Sequence, residues 1–413
     1  MTKRSAGLAA MTIAVYLFAN QTNVGWLYMI AALSASVILT SILFSLLSFK
    51  GLKITRSLNT GPRAGTGLLH EDDVVEITLG LEKTGLQPTT FVSVSEHCPI
   101  DAPGKETKRF FFLPLDKAKI GPSSDELDKA TYMVTCHKRG VYAFPPLALE
   151  SRGLLGLFCR KQRLDIDTRV TVYPKYYEIF SGRNRGAKAD LDSSLPRQGH
   201  IDEFYGTREY RSGDSPRHIH WRSSARAGEL IVKEFQEQIR PRITIVLDTS
   251  FDFGEGKEST LEYSVKLAAT VAWYAIDAGY RLSIVAEGAP PRDMSWKDTL
   301  EFLARLEPKE KLSARKLLDR PLGADVILAL VPWTDGDSSA VLPESPNNST
   351  SMTTILFTCF PGQEPLASAG AIDEFIECKY KESLPDVASR IVQRLEFNVT
   401  SKPAWSMTRY QKR

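Results

Sequence analysis

DEFYGTREYRSGDSPRHIHWRSSARAGELIVKE, residues 202–234, is the stretch on which the rest of the chain turns. Arginines recur at 208, 211, 217, 222 and 226 among Glu209, Asp214, Glu229 and Glu234, with Tyr205, Tyr210 and Trp221 interleaved. Ser212-Gly213-Asp214-Ser215-Pro216 carries turn chemistry: a glycine free to take positive φ, capping side chains, then a proline suited to a first helical position. The pattern predicts a helix from Arg217 to Arg226, stopped by Gly228 and followed by a buried strand at Leu230-Ile231-Val232. Arginine forks this close to carboxylates either form bidentate pairs or grip an external anion. The expectation is a structural ion-pair and stacking cluster built on Arg208, Tyr210, Gly213, Asp214, Arg217, Trp221, Arg226 and Glu234. Presentation of that cluster to a partner is the alternative. His218 and His220, two apart on a helix, would point away from each other.

Downstream, residues 241–413 alternate strand and helix. Ile243–Leu247 reads as a buried strand, Ser259–Ala278 as a helix and Arg281–Ala286 as a second strand. Lys297–Leu306 follows as a helix, then strands at Asp325–Val331 and Thr354–Thr358, and a closing helix at Leu384–Leu395. Such alternation implies a mainly parallel, Rossmann-like sheet with helices on both faces. Asp335–Thr353 reads as a long surface loop, and Ser401–Arg413 as a basic tail.

Upstream, residues 54–177 carry short strands of period two, clearest in Val75, Ile77, Leu79 and Leu81. Further strands are expected at Thr90–Glu96, Arg109–Leu113, Ala130–Cys136 and Arg169–Tyr173. Gly and Pro clusters separate them, which suggests an antiparallel β-sandwich-like domain serving as a spacer. Residues 178–240 then form a linker and the signature segment.

Residues 1–50 read as a transmembrane helical hairpin. Apolar runs at Ala6–Ala19 and Trp26–Phe49 flank the uncharged Asn20-Gln21-Thr22-Asn23. The second run spans roughly 36 Å as a helix, enough to cross the hydrocarbon. Lys3 and Arg4 precede the hairpin, and Lys50, Lys53 and Arg56 follow it, so the positive-inside rule puts both ends and the bulk of the chain in the cytoplasm. The expected location is a two-pass position in the cell (inner) membrane. Ser34, Ser41, Ser45 and Ser48 on the second helix, and Gly7, Ala10 and Ala14 on the first, are small faces expected to meet.

With 52 basic and 49 acidic residues the charge is balanced, which argues against a general nucleic-acid binder. The five cysteines are scattered without Cys-x-x-Cys spacing and read as free or buried thiols of a reducing compartment.

The signature resembles that of the domain of unknown function 58 family. Tyr210-x-x-Gly213-Asp214-x-x-Arg217-x-Ile219-x-Trp221, then Ala225-Arg226, Leu230, Val232 and Glu234, carry the likeness. A second block runs from Lys138-Arg139-Gly140-Val141-Tyr142 through Gly156-Leu157-Phe158 to Val172-Tyr173-Pro174. The resemblance implies a membrane-anchored chain with a von Willebrand factor A-like C-terminal part, and partnership with a MoxR-type AAA+ ATPase. Asp248, Ser250 and Asp252 resemble the Asp-x-Ser-x-Ser metal-adhesion motif of von Willebrand A modules, with a carboxylate in place of the last serine. Their oxygens suit Mg2+, and they would stand at the carboxyl end of the sheet where ligands bind. The other reading is a strand-end Asp capping the next turn.

Function reduces to two readings. One is a cytoplasmic scaffold or adaptor that presents the α/β domain to protein partners. The alternative is a metal-dependent enzyme using Asp248, Ser250 and Asp252 with the signature arginines. No serine or cysteine has an evident histidine partner, so no catalytic residue is assigned.

Overall fold

Alternation and helical periodicity, read from the N-terminus, account for most elements of the computed structural model. It describes residues 3–49, 51–60, 67–83, 92–112, 129–152, 157–179, 203–211, 214–236, 241–286, 291–308, 314–334, 350–363 and 375–400. The chain divides into two compact units, Met1–Lys175 and Tyr176–Arg413.

The first unit opens with helices α1 (Lys3–Thr22) and α2 (Gly25–Leu47), which pack against each other. Among the described residues α2 alone is long and apolar enough to cross a membrane. Its packed row includes Leu27, Ala31, Ser41, Ser45 and Ser48, all buried. Ser34 and Ser48 return their hydroxyls to helix carbonyls, at 2.9 Å to Ile30 and 2.8 Å to Ser45, which suits them to surroundings without water. On α1 the expected small row is displaced. Gly7, Ala10 and Ala14 are exposed, and the packed face carries Ser5 and Ala19, with Ala9, Thr12 and Val15 half-buried. Both rows are small, so size alone left the choice open.

The β strands of this unit are β1 (Leu52–Thr60), β2 (Leu69–His70), β3 (Val74–Lys83), β4 (Val92–His97), β5 (Thr107–Phe112) and β6 (Lys129–Thr135). There follow β7 (Gly140–Ala143), β8 (Leu147–Arg152), β9 (Cys159–Leu164) and β10 (Arg169–Tyr173). They form three sheets, ordered β1-β3-β6, β5-β4-β8-β9 and β2-β10-β7. Among the described residues every pairing in this unit is antiparallel except β2 with β10. Val75, Ile77, Leu79 and Leu81 of β3 are at most 1 % exposed, so one strand feeds two neighbouring core clusters. Phe49, just past α2, packs into the second of these with Leu79, Leu81, Val92 and Phe112.

The second unit holds a hairpin, β11 (Glu203–Glu209) and β12 (Ile231–Gln236), with α3 (Trp221–Ala227) between them. A five-stranded parallel sheet follows: β13 (Arg242–Leu247), β14 (Arg281–Val285), β15 (Val326–Pro332), β16 (Ser351–Thr358) and β17 (Phe375–Lys379). Their order is β14-β13-β15-β16-β17. Helices α4 (Thr260–Asp277), α5 (Trp296–Arg305) and α7 (Leu384–Thr400) contribute to a core on one face, with Ile243, Ile245 and Leu247. Val246 and Ile327 turn to the other face, against α6 (Ala314–Leu318). Ser259 and Ser295 cap α4 and α5, the latter in a capping box with Asp298. Tyr176 and Tyr177, assigned by sequence to the end of the β domain, pack against the α/β core. Tyr176 sits 5.3 Å from Trp273 and 4.9 Å from Trp296, ring centre to ring centre. Residues 180–202, most of the Asp335–Thr353 loop and the 401–413 tail lie outside the described residues.

Candidate functional site

The signature folds as a braced hairpin. β11 and β12 pair antiparallel from Glu203↔Gln236 to Glu209↔Ile231, with an irregularity between Phe204 and Gly206. Beyond β11, Arg208 donates both Nη atoms to the Asp214 carboxylate at 2.7 Å, and the Arg211 amide donates to Asp214 Oδ2 at 2.8 Å. Asp214 therefore locks the turn by which the chain leaves β11. Pro216–His218 makes one turn of 3-10 helix, with proline at its start.

The predicted single helix is broken here. Ile219 is extended (φ −64°, ψ 126°), bridges Val232 and is buried beneath the hairpin. The helix restarts at Trp221, capped by His220, whose ring nitrogen accepts from the Ser223 amide. Ser224, buried, accepts from the Ile231 amide at 2.9 Å and ties α3 to β12. Gly228 ends the helix at φ 75°, a left-handed conformation that suits glycine. Ile219 is thus buried against Val232 instead of continuing a helix.

The ion pair of the expected cluster forms, but at the surface. The Arg208 side chain is 36 % exposed and that of Asp214 19 %, so their pair sits at the surface. Trp221 is 67 % exposed, Leu230 45 % and Tyr210 36 %, and Arg226 is exposed as well. Gly213 and the side chains of Arg217 and Glu234 lie outside the described residues. The described part offers exposed Trp221, Tyr210 and Leu230, with exposed Arg211, Arg222 and Arg226, on one braced hairpin.

The Arg208 guanidinium, with the Arg211 amide, holds the Asp214 carboxyl down to about 2. A depressed carboxyl stabilises the fold fully above its ordinary value near 4, and that contribution fades as pH falls through about 2. The Arg211 amide resonance is therefore expected to titrate with a midpoint near 2. A midpoint at the ordinary carboxylate value would show that the brace does not form.

Asp248 directly follows β13, beside the point where chain connections diverge to β14 on one side and β15 on the other, the place where such sheets bind ligands. It is 6 % exposed, and both its oxygens are engaged. Oδ1 accepts from the Ser250 amide at 2.9 Å and from its hydroxyl, and Oδ2 accepts from the Ala314 amide at 2.8 Å. Asp252 serves a different place: its Oδ1 accepts from the Leu261 amide at 3.0 Å and from Thr260 Oγ1 at 3.3 Å. Gly254 then turns at φ 90°, so close to Glu258 that a Cβ would lie 2.4 Å from its carbonyl oxygen. Asp248 and Asp252 thus act as loop and helix caps in this geometry, and Ser250 is one of the donors to Asp248. Among the described residues no three His, Cys, Asp or Glu side chains gather as a metal site.

A buried charge network escaped the sequence reading. Arg56 Nε donates to Glu96 Oε1 at 2.6 Å, with both side chains wholly buried. Tyr132 donates its hydroxyl to Glu96 Oε2 at 2.5 Å, and the Arg56 guanidinium lies 4.6 Å from the Phe144 ring centre. Burial, then the bond to Glu96, pushes the Tyr132 phenol well above its ordinary range. The signal was present: Val92, Val94 and Glu96 share the inward row of β4, and an inward glutamate needs a cation.

A family profile described as "Protein of unknown function DUF58" matches residues 206–314. That span begins inside β11 and ends at Ala314, the residue whose amide closes on Asp248. The uncharacterized protein YeaD of Bacillus subtilis (strain 168) is 24 % identical over 201 residues, covering 47 % of this chain and 48 % of YeaD. The chain thus matches about half the length of that relative. Among solved structures, Cwp6 from Clostridium difficile aligns with 73 % of this chain and 36 % of its own at 9 % identity, with a TM-score of 0.16.

Proposed function

We propose that this protein is a membrane-anchored scaffold or adaptor whose signature hairpin is a docking surface for a protein partner. The observation that carries the reading is the exposure of Trp221, with Leu230 and Tyr210, on a hairpin held in shape by Arg208 and Asp214. A large aromatic left in water on a braced element is the composition of an interface anchor, with arginines beside it. Sequence resemblance suggests a MoxR-type AAA+ ATPase as the partner, and the von Willebrand A-like reading of the parallel sheet goes with it.

In this reading α1 and α2 form a two-pass anchor in the cell (inner) membrane, with the β-sandwich-like unit as spacer. Met29, Leu33 and Leu39 of α2 and Met11, Ile13 and Leu17 of α1 are each more than half exposed, as lipid-facing side chains would be. Arg56, counted from sequence among the charges that set orientation, is spent on Glu96 in the folded protein. Lys3, Arg4, Lys50 and Lys53 remain as the charges on which the cytoplasmic reading of both ends rests.

Trp221→Ala tests the docking surface. Capture of the ATPase from detergent-solubilised membranes is expected to fall about 30-fold or more, the loss typical of a hot-spot aromatic. The variant's melting temperature should stay within about 2 °C of wild type, as for an exposed substitution. Undiminished capture would remove the docking role.

A further inference from the structure

We propose that strand β9, beside the end of α2, is a binding surface for anionic phospholipid headgroups; the inference rests on the membrane-anchoring reading above. Arg160 of β9 donates Nη1 to the Leu46 carbonyl, one of the unpaired carbonyls that end α2. Its guanidinium also lies 5.7 Å from the Phe49 ring centre, and Phe49 is built into the β core. The end of the helix is thus packed onto the β unit, which fixes β9 at the depth where α2 leaves the hydrocarbon.

β9 reads Cys159-Arg160-Lys161-Gln162-Arg163-Leu164 and is the edge strand of its sheet. At about 3.3 Å per residue, Lys161 and Arg163 stand within roughly 10 Å of Arg160 along the strand. That is about one Debye length, the reach of an anionic leaflet's surface potential. Both side chains are exposed and, being two apart, share one face of the strand. Lys53, at the start of β1, is exposed near the same helix end. The acidic neighbours are Glu82, paired opposite Lys53, Glu150, paired opposite Lys161, and Asp165, just past the strand. Arg160, Lys161, Arg163 and Lys53 outnumber them by one. Charged edge strands also resist unwanted pairing, but that role needs no lipid and predicts no lipid preference.

The test uses the full-length protein purified from mixed micelles holding equal phosphatidylglycerol and phosphatidylcholine, with the retained lipids counted by mass spectrometry. Wild type should retain phosphatidylglycerol preferentially. Lys161→Glu with Arg163→Glu should cut the phosphatidylglycerol:phosphatidylcholine ratio at least fivefold, since each basic residue near a leaflet contributes about fivefold. Lys161→Gln with Arg163→Gln should cut it in the same direction. Lys105→Glu with Arg169→Glu makes the first variant's charge change away from the Phe49 cluster and should leave the ratio unchanged. A ratio unaltered in both β9 variants, or lowered equally by the Lys105 and Arg169 pair, overturns the proposal. Alkaline carbonate extraction of membranes runs alongside. Release of the chain overturns the anchoring reading and this proposal with it, whereas retention with an unaltered ratio overturns this proposal alone.

Discussion

Glu96→Ala is expected to destabilise the first unit by about 3–5 kcal/mol, the largest effect expected of any single substitution named for this chain. The reason lies in what remains. Arg56, wholly buried, loses its 2.6 Å partner and keeps its charge, and the Tyr132 hydroxyl loses its acceptor. A lone buried charge has no compensating solvation. For a unit of this size the melting temperature should fall by roughly 6–20 °C. Replacing the group together, Arg56→Met with Glu96→Leu and Tyr132→Phe, should recover most of the loss, because the desolvation cost disappears along with the attraction. Thermal unfolding of the full chain in mild detergent measures both. A loss under about 1 kcal/mol for Glu96→Ala would mean that water reaches the network.

Asp248→Ala is expected to cost about 2–4 kcal/mol, because the buried Ala314 amide and the half-buried Ser250 amide both lose their acceptor. The same residue separates capping from metal binding. If Asp248, Ser250 and Asp252 cap their own loops, millimolar Mg2+ leaves the wild-type melting temperature where it was. A metal site filled a hundredfold above its dissociation constant would add about 2.7 kcal/mol of stability. A clear rise with Mg2+ that vanishes in Asp248→Ala would favour the enzyme alternative.

What was legible in the sequence came from pattern strength. Ile243–Leu247, the long helix after Ser259, and the Val75-Ile77-Leu79-Leu81 row are apolar at one clear period, and the observed elements fall within a few residues of those expectations. β9 was missed because Cys-Arg-Lys-Gln-Arg-Leu has no apolar alternation; an edge strand in water needs none. α6 is only five residues long, and its helical period is too brief to read. Within the signature, the turn at Asp214 and the stop at Gly228 were visible because cap and turn residues act locally. The break at Ile219 was not, since it depends on a partner strand thirteen residues away. Exposure of Trp221 was hidden for a related reason: arginine, tyrosine and tryptophan compose buried stacks and open interfaces alike.

If the Trp221 face meets a protein partner, a photo-crosslinking residue placed at 229, exposed beside Leu230 with Trp221 kept, should capture that partner in living cells. The full-length protein carries the probe at 229, with the same probe at 105 as reference. A discrete covalent adduct containing an ATPase is expected from 229, and none from 105. A properly folded 229 variant that gives no adduct, or the same adducts as position 105, would contradict the docking role.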